Sequence, residues 1–297
     1  MSRFRGFGVV AWRELLTVVR TRSYLLLSAG LLLVFVGVLR VAGGIGGGYV
    51  PTAVDLLLPL ELLVPLVAVA LGYRAFSGEN DDRPVLRTYP LSKSALVAGV
   101  FAGRFVGLAG IVGGPLVAVG LAVSQIGGPE SRVFAVHHGV DSPILFVRFI
   151  ALTLCFGAVV LAMAMAVSVL VRNSRAALAA ALAVLVAVVA GGDLVALLGL
   201  SAGSISDDLL GTVLAVGPNA AYRGLVLESV VGVVTDRSNA INVPAAVFGL
   251  GGWLGVSLLI VWFGLDRRPA LLLQNALERA RSLGLRRRLW ARLRRRG

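Results

Sequence analysis

Six apolar stretches, near residues 24–42, 54–73, 105–126, 144–171, 177–199 and 245–265, each run far enough to cross a bilayer as a helix. Within the hydrocarbon no water satisfies a peptide group, so each run must close its own backbone hydrogen bonds and becomes helical. Aliphatic side chains at the helix centre gain roughly 0.3–0.6 kcal/mol apiece, and a dozen of them outweigh one charge costing about 3 kcal/mol, so the second run spans despite Glu61. The predicted fold class is all-α: a polytopic membrane protein of six transmembrane helices. Hydrophobic residues make up 58% of the chain and charged ones 14%. In 297 residues, six crossings and their loops leave no room for a second, soluble domain.

Basic residues set the direction of the crossings. With the N-terminus inside, the inner segments collect 23 of the 28 arginines and lysines, eleven of them between Arg267 and Arg296. The outer loops keep Arg132, Arg223 and Arg237, with Arg40 and Arg148 at outer helix ends. This asymmetry predicts two cytoplasmic termini in the cell membrane. The region 203–243 holds apolar runs too short to cross and reads as a hairpin before the last span, either re-entrant or interfacial. A seventh crossing there would carry the arginine-rich tail outside.

Two amphipathic segments flank the spans. In residues 1–23, Trp12, Leu15, Leu16 and Val19 fall at helical spacing on one face, with Arg13, Thr17 and Arg20 on another, predicting an elbow helix at the membrane interface. The tail 266–297 interleaves Leu277, Leu283, Leu289, Trp290 and Leu293 with arginines, and a basic run joined directly to a span predicts binding to anionic lipid rather than to nucleic acid. Between them lies a six-span domain at 24–265.

The polar segment 74–104 is the one organised inner loop. It carries Glu79, Asp81 and Asp82, then Pro84 and Pro90, then a helix with Ser92 or Ser94 as its capping residue. GYRAFSGE at 72–79, LRTYPLSK at 86–93 and ALVAGVFAGR at 95–104 together resemble the cytosolic loop of ABC transporter permeases of the type-2, exporter class. GPNAAYRGLV at 217–226 is similar to a stretch found before the final span in many of them. Arg83–Pro84 and Leu86–Arg87–Thr88 depart from the family's usual small pair and leucine-leucine-serine.

The resemblance implies a permease that exports or flips its substrate, without an ATPase site of its own. ATP and magnesium would be held by a separate ABC ATPase subunit, and a second permease copy or related permease would complete the pathway. Matching positions Glu79, Pro90, Ser92, Lys93 and Arg104, with Arg87 between them, are expected to couple the loop to the ATPase. Members of the class export drugs, lipids or polysaccharides, and others serve nitrous oxide reductase maturation.

Arg40, Glu61, Arg148 and Asp193 are ionisable groups within spans, two of each sign, and are expected to pair towards the outer end of the bundle. His137 and His138 near Asp141 read as a solvated loop, since adjacent histidines diverge on an extended chain and no further ligand surrounds them. Cys155, Met163 and Met165 share no clear face and read as packing residues; no metal or other cofactor is expected on this chain. Glycines 107, 110, 113, 114 and 120 flank Pro115 and predict close helix approach and a bend in the third span. A polytopic membrane enzyme or an ion-coupled carrier are the alternative readings. They would need convergent catalytic groups or two matched halves with broken helices.

Overall fold

In a computed structural model, the chain is described at residues 3–76, 92–126, 141–171, 174–204, 207–235 and 241–265. Among these residues every regular element is helical. Helix α1 (Arg3–Arg20) leads through Thr21 into α2 (Arg22–Ala42), and a short α3 (Gly44–Gly47) precedes α4 (Tyr49–Gly72). After 77–91, α5 (Lys93–Leu108) passes through a π-helical turn at Ala109–Gly113 into α6 (Gly114–Ile126). Then follow α7 (Pro143–Leu170) and α8 (Ser174–Ser201), the short helices α9 (Asp207–Val216) and α10 (Pro218–Val226), a second π turn at Leu227–Val231, and α11 (Gly232–Thr235). The last helix, α12, is Val243–Leu265.

Six of these helices are long and apolar enough to cross a membrane: α2, α4, the joined α5–α6, α7, α8 and α12. They match the six runs expected from the sequence. Alternation of the crossings puts α1, the 73–92 connection, the link from α7 to α8 and the end of α12 at one end of the bundle. The turn at 43–48, the chain before Ser142 and the region between α8 and α12 fall at the other.

Local chemistry explains the helix starts. Ser142 caps α7 by accepting from Ile144 N–H at 3.3 Å, with Pro143 at the first helical position, where a missing N–H costs nothing. Asn242 caps α12 by accepting from Ala245 N–H at 3.1 Å. At α4 the cap comes from far away: both carboxylate oxygens of Asp141 accept from the first turn, Tyr49 N–H at 2.6 Å and Val50 N–H at 3.0 Å. Gly48 precedes it with φ +106°, and any Cβ there would strike that carboxylate, so only glycine serves. Asp141, placed in a solvated loop by sequence, is therefore a helix cap.

The third span differs from its expected bounds. Instead of a separate loop helix ahead of 105–126, one helix runs from Lys93 to Ile126, 34 residues or roughly 51 Å. The hydrocarbon is about 30 Å thick, so several turns extend past it. Pro115 has no N–H for the carbonyl four residues earlier and its ring crowds that turn, and the widened π turn just before it absorbs both effects.

Along this long helix lies α1. Gly99, Gly103 and Gly107 form a groove one glycine per turn, in which a Cβ would come to 2.8 Å of Val10, would strike Ala11 O, and would come to 2.8 Å of Val18. Gly107 belongs to the glycine set singled out by sequence, whereas Gly110 and Gly114 have nothing within 4 Å of a Cβ. The face of α1 that packs is Val10, Ala11, Glu14 and Val18, with Val10 and Val18 buried, while Trp12 and Val19 of the expected apolar stripe stay exposed. The helix thus has two apolar faces, and the one with smaller residues fits the glycine groove because it allows the backbones to approach.

At the centre of the bundle α4 packs on α7, with Leu56, Leu60, Leu108, Leu116, Phe149, Phe156 and Leu161 fully buried. The spans α2, α8 and α12 are peripheral and leave most of their apolar side chains exposed.

Candidate functional site

Two polar sites emerge in the bundle. The first surrounds the connection between α4 and α5. Ser92 caps α5 by accepting from Ala95 N–H at 3.3 Å, and Ser94 falls inside the helix. Lys93 sits 5.9 Å from the ring centroid of Trp262 near the end of α12. Arg104, three turns into α5, donates from Nε to Glu14 Oε2 of α1 at 2.9 Å and from Nη1 to the carbonyl of Leu71 in the last turn of α4. Both members of this ion pair are mostly buried. On the departing side, Phe76 N–H donates to Ser168 Oγ of α7 at 3.1 Å. Lys93 and Arg104 are therefore engaged within the chain, while Glu79, Arg87 and Pro90 lie outside the described residues.

The second site is built on α10. Pro218 opens this helix, and the residues that follow at helical spacing, Asn219, Tyr222, Arg223 and Val226, share one inward face. Arg223 donates from Nε to Glu61 Oε1 on α4 at 2.8 Å and from Nη2 to Asp193 Oδ2 on α8 at 2.8 Å. Asn219 Nδ2 donates to Glu61 Oε2 at 3.2 Å and to the Val189 carbonyl of α8 at 3.3 Å. Tyr222 stacks on Phe156 of α7 with centroids 4.7 Å apart, and its hydroxyl meets Thr153 Oγ1 at 2.9 Å. One short helix thereby ties together three spans. Burial pushes the Tyr222 phenol well above the ordinary tyrosine value. For Arg223 burial works against the charge, but the bonds and charges of Asp193 and Glu61 outweigh it and hold the guanidinium above its usual value.

Of the four span residues expected to pair, Glu61 and Asp193 are brought together, but through Arg223 rather than through either span arginine. Arg148 instead donates from Nη1 to the Ser229 carbonyl at 2.7 Å, in the π turn that follows α10. Arg40 is exposed in the last turn of α2. Counting Arg223 as an outer-loop charge hid the decisive partner. The signal was the spacing of Asn219, Tyr222 and Arg223 in the quoted stretch, which aligns three polar groups on one helical face. Because α4 starts at Tyr49, Glu61 stands roughly 18 Å along it, near mid-span rather than towards its outer end.

Both ends of the α4–α5 connection are thus tied to other helices, and α10 turns a polar face towards α4 and α8. The model of the ABC-2 family transporter protein matches residues 9–268. The chain belongs to the ABC-2 transporter family. It is similar to the probable ABC transporter permease protein NosY of Stutzerimonas stutzeri, 31% identical over 279 residues covering 87% of this chain and 97% of the relative. It is equally similar to the protein of that name from Pseudomonas aeruginosa, 31% identical over 280 residues, 88% of this chain and 98% of the relative. As an ABC-2 permease it is the membrane subunit of an ABC transporter, and the family implies association with an ABC ATPase. Both sites fall within the matched residues.

Proposed function

We propose that this permease exports or flips its substrate when a separate ATPase presses on the connection between α4 and α5. A permease without a nucleotide site must receive work through a rigid contact and turn it into movement of spans. The observation that carries this reading is the fastening of both ends of the connection: Phe76 to α7, Lys93 to α12, and Arg104 to α1 and α4. Force applied at 77–91 would reach α1, α4, α5, α7 and α12 together. Glu79, Arg87, Pro90 and Ser92 would then meet the ATPase, with ATP and magnesium held on that partner, while Lys93 and Arg104 pass the displacement on.

In this reading the connection and both termini face the cytoplasm of the cell, as the arginine asymmetry favours. Substrate crosses between two six-span bundles, this one and a second copy or related permease. The Glu61–Arg223–Asp193 network then serves as a latch that holds α4 and α8 to the hairpin until the inner end moves. The decisive experiment is to assemble the permease with its partner ABC ATPase and compare transport-coupled hydrolysis. Glu79→Ala and Arg87→Ala should lower coupling while insertion stays normal. Full coupling in both variants would sink the assignment.

A further inference from the structure

A cavity of about 450 Å³ opens between α6 and α7, beside the first turn of α4, and takes no part in either polar site. Its apolar lining includes Val117 on α6 and Val147 and Ile150 on α7, while its polar groups gather at one end: Tyr49, Ser124 and Gln125. None of its lining residues is charged. One wall is aromatic, with the Phe146 ring centroid 5.7 Å from that of Tyr49 and 5.6 Å from that of Phe149. Gly120 makes room for that ring, since a Cβ there would come to 3.0 Å of it. Tyr49 N–H donates to Asp141, just ahead of Pro143, so the starts of α4 and α7 are tied together and the walls are pre-organised.

The cavity has a direction relative to the bilayer. Tyr49 opens α4, Ser124 and Gln125 lie in the last turn of α6 and Pro143 opens α7, so the polar end lies where three spans reach the membrane interface. From Gln125 to Val117 the helix descends roughly 12 Å, against about 15 Å for the hydrocarbon of one leaflet. The side is open. Leu121 is 63% exposed and Val147 64%, and on spans such side chains face lipid tails as apolar as themselves. Water does not fill an apolar hollow, and an empty one forfeits the dispersion contacts of its lining, so chain methylenes are the solvent that enters. At the polar end, Ser124 Oγ donates to the Leu121 carbonyl at 2.7 Å and Gln125 Nε2 donates to Ser124 Oγ at 3.4 Å. The second amide N–H of Gln125 is left for an incoming acceptor such as an ester carbonyl. With no charge in the lining, the cavity reads a chain and its linkage rather than a charged headgroup.

We propose that this cavity binds one acyl chain of a membrane phospholipid, its ester end at Gln125 and its methylenes along Val117, Val147 and Ile150. The chain bridges α6 and α7 in the leaflet away from the 77–91 connection. The inference needs only the six-span fold and is independent of the transport reading above.

In the test, the full-length permease sits in phosphatidylcholine nanodiscs containing a small fraction of phosphatidylcholine with a photoreactive diazirine at mid-chain. After irradiation, labelled peptides are quantified by mass spectrometry. Label should concentrate on 117–125 and 143–150, severalfold above the exposed apolar faces of α8 and α12 around Leu197 and Phe248. Val147→Trp fills the cavity from its exposed edge, and because a chain would have to displace the indole, that label should fall about tenfold. Leu121→Trp should do the same from the α6 side and decides if the first variant fails to fold, whereas Leu197→Trp on α8 should leave the label unchanged. In detergent, added phosphatidylcholine should raise the unfolding midpoint of the unsubstituted chain more than that of Val147→Trp, since a ligand held by the native state stabilises it. Label spread evenly over all lipid-facing helices would mean an ordinary lipid annulus, and undiminished label in the folded tryptophan variants would place the chain elsewhere. Either result overturns the proposal, as would equal midpoint rises in the two proteins. Label from a diazirine fatty acid with none from the phospholipid would also overturn it, making the ligand a free single-chain amphiphile.

Discussion

Arg223 Nε donates to Glu61 Oε1 at 2.8 Å, so a residue of the short helix before the last span neutralises a charge in the middle of the second. The pair joins segments 162 positions apart in sequence, and the same guanidinium reaches Asp193 on a third helix. A span with a mid-helix glutamate is tolerated in lipid because its counter-charge is supplied by tertiary structure.

Removing that counter-charge should be costly. Arg223→Leu leaves Glu61 buried without compensation, and breaking a buried pair from one side costs about 3 kcal/mol, the low end of the usual range because Arg223 is partly exposed. The midpoint of thermal unfolding in detergent should fall, and Glu61→Leu combined with Arg223→Leu should recover part of the loss. A double variant less stable than Arg223→Leu would contradict the pairing.

The glycine groove makes a contrast within a single helix. Gly103→Ala drives a methyl group into Ala11 O and should cost about 1–3 kcal/mol through overpacking, whereas Gly110→Ala enters open space and should be close to neutral. Unfolding midpoints of the two variants check this, and similar losses in both would show that α1 does not seat there.

Glu14 and Arg104 should behave as one unit. In a double-mutant cycle of Glu14→Gln and Arg104→Gln, the coupling energy for directly bonded residues should be about 0.5–3 kcal/mol, and ATPase coupling should fall by a similar factor in either single variant. Additive losses would mean that α1 and α5 are not joined through this pair.

The Asp141 cap predicts a long-range dependence at the start of α4. Asp141→Ala withdraws the acceptor from Tyr49 and Val50 N–H and should cost about 1–2 kcal/mol, as loss of a helix cap does. Gly48→Ala should cost at least as much, because φ +106° and the carboxylate both oppose a Cβ. Thermal unfolding of both variants supplies the measurement.

Topology is open to direct labelling. In a Cys155→Ala background, Ser204→Cys should react with an impermeant maleimide added to intact cells, and Ser94→Cys should react only after permeabilisation. Both positions are exposed, at opposite ends of the bundle. The reverse pattern would invert the orientation and remove the ATPase-facing role of 77–91.

Much of the architecture was legible in advance because lipid imposes a one-dimensional rule: an apolar run of sufficient length closes its own hydrogen bonds. All six spans were found this way, with bounds shifting by a few residues except at the third, where ALVAGVFAGR reads as a separate helix of the inner loop yet is continuous with the span. The α1 stripe of Trp12 and Val19 was visible as amphipathic, but a hydrophobic pattern alone does not say which apolar face meets protein. That choice depended on Gly99 and Gly103, whose missing side chains matter only once a second helix lies across them.

By itself, then, the sequence determined six lipid-stable helices, their alternation and a charge asymmetry across them, since each depends on solvation of a local segment. Only the tertiary structure decided that Glu61 and Asp193 are joined by Arg223, that Arg148 goes to a backbone carbonyl, and that Asp141 caps α4. Ion pairs and caps act over a few ångströms and are indifferent to sequence distance, so their partners become definite only when packing has brought the helices together.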